Sequence, residues 1–131
     1  MVDVLKKELD LSFEEAVEKV KEAVEEGFSM LMVKSLDEVL KKHLELPEDP
    51  EKYTMILACG ADLAKKALDV SKNLGALMPC SFVVYEEDGK VYASHLSIMN
   101  IASELGLADP EAMKPVIEET GKRVDKVWDK I

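Results

Sequence analysis

The sequence contains no glutamine, only two asparagines (Asn73 and Asn100) and a single arginine, Arg123. With 17 basic residues against 27 acidic ones, the formal net charge is −10. That sign excludes nucleic acid as an expected partner, because affinity for a polyanion comes from Lys and Arg neutralising phosphates. An anionic membrane surface is excluded on the same ground. No apolar run approaches the roughly 20 residues that cross a bilayer. The opening Met1-Val2-Asp3-Val4-Leu5-Lys6 has neither the basic start nor the long apolar stretch of a secretory signal. A cytoplasmic location is the expectation.

Cysteine is also scarce. Cys59 and Cys80 are too few for a disulfide framework. The chain has no CxxC, no HExxH and no paired Cys/His spacing, so nothing predicts a structural zinc site. The glycine-rich loops that cradle phosphates, GxGxxG and GxxxxGK[ST], are absent as well.

What remains is a globular composition. The 131 residues are 47% hydrophobic and 34% charged, enough for one domain over 1–131 with a true core. The excess of Lys and Glu over amides runs in the thermophile direction. Charge is unevenly spread: residues 53–85 carry a net of +1, and the flanking segments carry the rest. The middle of the chain is therefore its apolar heart.

Periodicity assigns the elements. Residues 2–10 can open with a short strand. Ser12-Phe13-Glu14-Glu15 is a capping box, followed by Ala16, Val17, Val20, Ala23 and Val24 at amphipathic-helix spacing, with Gly27 as the expected stop. Phe28 to Lys34 reads as a strand, with Phe28, Met30 and Met32 on one face and Leu31 and Val33 on the other. A second capping box at Ser35-Leu36-Asp37-Glu38 starts a helix that ends before Pro47. Tyr53 to Cys59 is a strand apolar enough to expect cover on both faces. A helix is predicted from Ala61 to about Asn73, with Gly75 ending it.

Cys80 to Glu86 and Lys90 to Ser97 are strands around Asp88-Gly89, the strongest short hairpin signal because a type I′ turn needs positive φ at both central residues. Asp109-Pro110 is a helix start, and Met113, Val116, Ile117, Thr120, Val124, Val127, Trp128 and Ile131 continue as its stripe. Pro115 implies a kink or a later start. A tight hairpin among helices of regular period predicts an α+β fold, an antiparallel-rich sheet with helices on one face.

The hairpin register yields one chemical constellation. With Asp88-Gly89 as a two-residue turn, Tyr85 faces Tyr92, Val84 faces Ala93, Phe82 faces His95 and Cys80 faces Ser97. Cys80, Phe82, Val84, His95 and Ser97 then share a surface, with His95 diagonal to Cys80. A thiol beside an imidazole can serve redox, nucleophilic or metal chemistry. The same residues also fit a plain core, since buried cysteine commonly packs as a small hydrophobe. Cys59, closing its strand before Gly60, has the same two readings. His43 falls at the boundary of its helix's apolar face, and the seven methionines are scattered enough to read as core filling.

Several runs together resemble a known family: Asp10-Leu11-Ser12-Phe13-Glu14-Glu15-Ala16, Glu26-Gly27-Phe28, Ile56-Leu57-Ala58-Cys59, the Leu63-Ala64-x-x-Ala67-Leu68 helix, Gly75-Ala76-Leu77-Met78-Pro79-Cys80 and Val83-Val84-Tyr85-Glu86. Over most of residues 3–97 the chain resembles the uncharacterised bacterial and archaeal "domain of unknown function 302" family. The resemblance implies a TATA-binding-protein-like arrangement, with a curved, mostly antiparallel sheet backed by helices, and a tendency to homodimerise. It implies no established activity. The family's motif cysteines correspond to Cys59 and Cys80. Many members continue after the hairpin with Asp-Pro, whereas this chain reads His95-Leu96-Ser97-Ile98-Met99-Asn100.

Three functional expectations follow. The first is a non-enzymatic homodimer binding a small ligand or partner near Cys59, Cys80 and His95. The second is thiol redox chemistry, with one cysteine assisted by His95 and the other as its resolving partner. The third is metal or haem ligation by some of Cys59, Cys80, His95 and Met99.

Overall fold

The computed structural model describes residues 4–131. Eleven elements follow in the order β1 (Val4–Leu9), α1 (Phe13–Val24), β2 (Ser29–Ser35), α2 (Leu36–His43), β3 (Tyr53–Cys59), α3 (Ala61–Val70), a 3₁₀ turn (Lys72–Leu77), β4 (Cys80–Glu87), β5 (Lys90–Leu96), α4 (Ile98–Glu104) and α5 (Pro110–Trp128). The five strands form one antiparallel sheet in the order β1-β5-β4-β3-β2. This is the expected α+β architecture. The strand expected over 2–10 is present from Val4 onward, and residues 2 and 3 lie outside the described residues.

Helix α1 begins where its cap requires, with the Ser12 hydroxyl accepting from the Glu15 backbone N–H at 3.2 Å. Its buried stripe of Ala16, Val20, Ala23 and Val24 packs on the sheet together with Val124 and Val127 of α5. Ile56 and Ala58 of β3, Phe82 and Val84 of β4, and Val91 and Ala93 of β5 answer from the covered face. Each fully buried Val, Ile or Phe among them contributes about 1.5–3 kcal/mol. A second, smaller core gathers Ala67 of α3, Leu74 of the 3₁₀ turn, Met99 and Ala102 of α4, and Met113 and Val116 of α5.

Six details depart from expectation. Gly27 does not adopt a left-handed conformation, for the positive-φ residues among those described are Asp88, Gly89 and Gly106. Its role is close approach: a Cβ there would meet Cβ and O of Arg123 at 3.1 Å. In β2 the register shifts between Met30 and Met32, so Met30 pairs with Ala58 and Met32 with Leu57. That bulge sends Met30 and Met32 to opposite faces, against the simple alternation expected for them.

Strand β3 alternates between buried and half-buried residues, so only one of its faces is covered. Helix α3 stops at Val70, Ser71 turns extended, and Lys72–Leu77 is a separate 3₁₀ turn instead of the helix's last turn. The segment after the hairpin folds into α4, which no periodicity had indicated.

Helix α5 starts at Pro110, runs unbroken through Pro115 and ends at Trp128, so Ile131 lies beyond it. Glu111 and Pro115 are both exposed, so the carbonyl deprived of its partner by the proline faces solvent, which satisfies it.

Candidate functional site

The hairpin forms as its turn chemistry dictates. Asp88 (φ 52°) and Gly89 (φ 78°) both take positive φ, and the register runs from Glu87 opposite Lys90 to Phe82 opposite His95. Beyond Phe82 the ladder ends. Ser97 leaves β5 to cap α4, so the expected Cys80–Ser97 pair is not made. Cys80 instead pairs with Ala58 on its other side.

His95 is committed to local contacts. It is 3% exposed. Its ring stacks on Phe82 with centroids 4.2 Å apart and planes 13° from parallel. Its Nδ1 lies 2.9 Å from the Ser81 carbonyl oxygen, which can only accept, so Nδ1 carries the hydrogen. Burial holds the imidazole below its ordinary pKa of 6.5, and the Ser81 bond offsets this in part.

The two cysteines come together without the histidine. Cys59 and Cys80 both line a cavity of about 30 Å³ whose walls include Met78, Met99, Leu63 and Thr120. That is room for one water or one metal ion, not for a porphyrin. The cavity lies at the junction of the two cores, between residues of the larger (Phe28, Ala58, Leu63) and of the smaller (Met99, Val116). His95 lines a separate groove of about 300 Å³ with Tyr53, Ser94 and Ile98. Both cysteines are free thiols. Burial raises the Cys80 thiol to about 11, with a smaller push from Cys59. At pH 7 only roughly one Cys80 in 10⁴ is then a thiolate.

Thr120 is the residue sequence reading passed over. Its place in the α5 stripe marked it only as core, yet among the described residues its Oγ1 is the buried side-chain polar atom without a hydrogen-bond partner. Met78 stands out in the sequence only as part of the 75–80 run, since nothing local announces that it will pack with residues of α4 and α5. No three His, Cys, Asp or Glu side chains gather as a metal-holding group among the described residues. The single arginine is structural: Arg123 reaches from α5 to Asp62 in the first turn of α3, with Nη1–Oδ1 at 2.9 Å and Nη2–Oδ2 at 2.5 Å.

The sequence model described as "Domain of unknown function DUF302" matches residues 5–131. This chain belongs to the DUF302 family. The crystal structure of an uncharacterized conserved DUF302 protein from Bacillus stearothermophilus superimposes with a TM-score of 0.80 at 22% identity, covering 97% of this chain and 96% of that one. At that identity the likeness shows the DUF302 fold alone. No curated protein matches the sequence. Among the described residues, no helix of this DUF302 chain is long and apolar enough to cross a membrane.

Proposed function

We propose that this DUF302 chain is a non-enzymatic, homodimeric binding module whose partner is a second copy of itself, docked on the uncovered face of the sheet. The observation that carries the reading is the half-buried apolar and aromatic surface of Tyr53, Met55, Leu57, Val83, Tyr85 and Tyr92 on the face opposite the α1 core, with Ile98 and Ile101 of α4 beside Tyr53 and Val83 at one edge. Tyr53 and Tyr85 stack with centroids 5.5 Å apart, and Tyr85 and Tyr92 at the same separation. The patch runs on to β2, an edge strand with Leu31 59%, Met32 54% and Val33 38% exposed. Exposed apolar edges of this kind call for cover.

Charge favours a second copy as that cover. Two chains of net charge −10 repel, and they approach best through surface without carboxylates. The stretches Tyr53–Cys59, Cys80–Tyr85 and Val91–Leu96 contain no acidic residue. An isologous contact through them sets neutral surface against neutral surface.

Thiol chemistry is the weaker reading. The attacking species is the thiolate, and burial keeps Cys80 protonated at neutral pH. His95, at a separate groove, is not placed at the cavity to take the proton.

Light scattering on the eluting protein tests the dimer. The wild type is expected at twice the 14.6 kDa of one chain, and Leu57→Glu with Val83→Glu is expected at a single chain's mass with its helical circular dichroism intact. A wild type of one chain's mass at high concentration overturns the reading. So does a dimer that survives both charges.

A further inference from the structure

We propose that the cavity at the junction of the two cores is a binding site for one monovalent copper ion, held by the Cys80 thiolate and the Met78 and Met99 thioethers. The inference stands independently of the dimer. Two independent observations meet at this place. The first is the donor set: four sulfur-bearing residues, Cys59, Cys80, Met78 and Met99, line one cavity of about 30 Å³. The second is the Thr120 hydroxyl on the same wall. Thr120 is 5% exposed, and its Oγ1 has no partner among the described residues. A buried hydroxyl left unpaired costs about 1–3 kcal/mol, so this wall favours a polar occupant over an empty cavity.

The chemistry selects the ion. Thiolate and thioether sulfurs are soft donors and favour Cu(I) over the harder divalent cations. Zinc takes four nitrogen, sulfur or oxygen ligands from Cys, His and carboxylates, and no three such side chains gather among the described residues. Cu(I) accepts low coordination and does not need them.

Charge selects the number of thiolates. The walls are otherwise apolar, with Phe28, Ala58, Leu63 and Val116 among them, and an uncompensated charge there is costly. One Cu(I) with one thiolate and two neutral thioethers sums to zero. Binding forms the copper–sulfur bond at Cys80 and releases the thiol proton to solvent. The Thr120 O–H, unpartnered in the free protein, donates to the electron-rich Cys80 sulfur once binding draws the two to hydrogen-bond distance. Cys59 remains a neutral thiol on the cavity wall.

Strand pairing supports Cys80 as the anionic ligand. It stands opposite Ala58 on the helix-covered face, whereas Cys59 follows Ala58 on the alternate pleat. Cys80 also follows Met78-Pro79 directly, so two donors reach the cavity from one short segment, and Met99 comes from α4.

The experiment is an anaerobic titration of the full chain with Cu(I) buffered by bicinchoninate, read by loss of that complex's colour and by copper K-edge absorption. One copper per chain and a shell of sulfur scatterers alone are expected. Cys80→Ser is expected to abolish binding. Met99→Leu, which conserves volume and so keeps the fold, is expected to weaken it. Thr120→Val is expected to weaken it about tenfold or more, as loss of an outer-shell hydrogen bond typically does. Cys59→Ser is expected to leave the stoichiometry at one. Three outcomes overturn the proposal: no copper drawn from the buffer, the cavity then holding a water only; nitrogen or oxygen scatterers in place of sulfur; or full affinity in folded Met99→Leu and Thr120→Val.

Discussion

Phe82 and His95 face each other across the β4–β5 hairpin with rings 4.2 Å apart and 13° from parallel, and the imidazole bonds the Ser81 carbonyl. The stack buries a titratable ring at 3% exposure, where its charged form is disfavoured.

Acid sensitivity near neutrality follows. The His95 pKa lies below its ordinary 6.5 in the folded state, chiefly through burial. The unfolded chain therefore binds the proton more readily, and stability falls as pH drops below about 6.5 toward the folded value. Above that window the contribution is fully present. Melting temperature is expected to fall between pH 7.5 and pH 5 in the wild type and to fall less in His95→Phe, which keeps the ring stack. An equal fall in both proteins counts against His95 as the source.

Two glycines approach Arg123 and are expected to behave differently. A Cβ on Gly27 meets Cβ and the backbone oxygen of Arg123 at 3.1 Å, and neither can move without shifting α5. Gly27→Ala is expected to cost about 1–3 kcal/mol, the range for overpacking. A Cβ on Gly60 meets the Arg123 Nη1 at 3.0 Å, the far end of a flexible side chain. Gly60→Ala is therefore expected to cost less, with the strain relieved by loosening the Arg123–Asp62 pair. Urea unfolding of the two variants checks the order, and an equal or reversed order contradicts the contacts described.

The same pair has its own pH signature. The Arg123 hydrogen bonds hold the Asp62 carboxyl at about 2, below its ordinary 3.8. What the pair contributes is present above the unfolded value and is lost as pH falls from about 3.8 to about 2. Charge reversal or loss at Asp62 is thus expected to change stability near neutrality and to leave acid-unfolded behaviour below about pH 2 unchanged.

Native Cys80 is expected to resist iodoacetamide at pH 7.5 and to react once the chain is unfolded in urea. Burial sets its thiol at about 11, and alkylation proceeds through the thiolate. Mass mapping of the modified peptide gives the readout. Rapid native modification of Cys80 restores the thiol-chemistry reading.

Local physics made much of this fold legible in the sequence. The Ser12 and Ser35 caps, the Asp88-Gly89 turn and the α1 stripe each depend on residues within one or two turns of chain, and each stands where its chemistry requires. The turn fixed the register of β4 on β5, and hence the opposition of Phe82 and His95. Composition likewise settled the acidic charge, and the hairpin among helices of regular period settled the class of fold.

Other features were decided only by contacts distant in sequence. The β2 bulge that separates Met30 from Met32 arises from pairing with β3, not from any residue within β2 that demands it. Gly27 owes its position to Arg123, nearly a hundred residues later. Tertiary packing also separated His95 from the cysteines: the ladder ends past Phe82, α3, α4 and α5 close over Cys80, and the imidazole lines a different groove. The cavity's walls come from β3, β4, three helices and the Met78-Pro79 segment. A sequence pattern carries the period of one element at a time. Which elements meet at one point depends on how whole faces bury against each other, and so the sulfur cluster and the orphaned Thr120 hydroxyl emerge only in three dimensions.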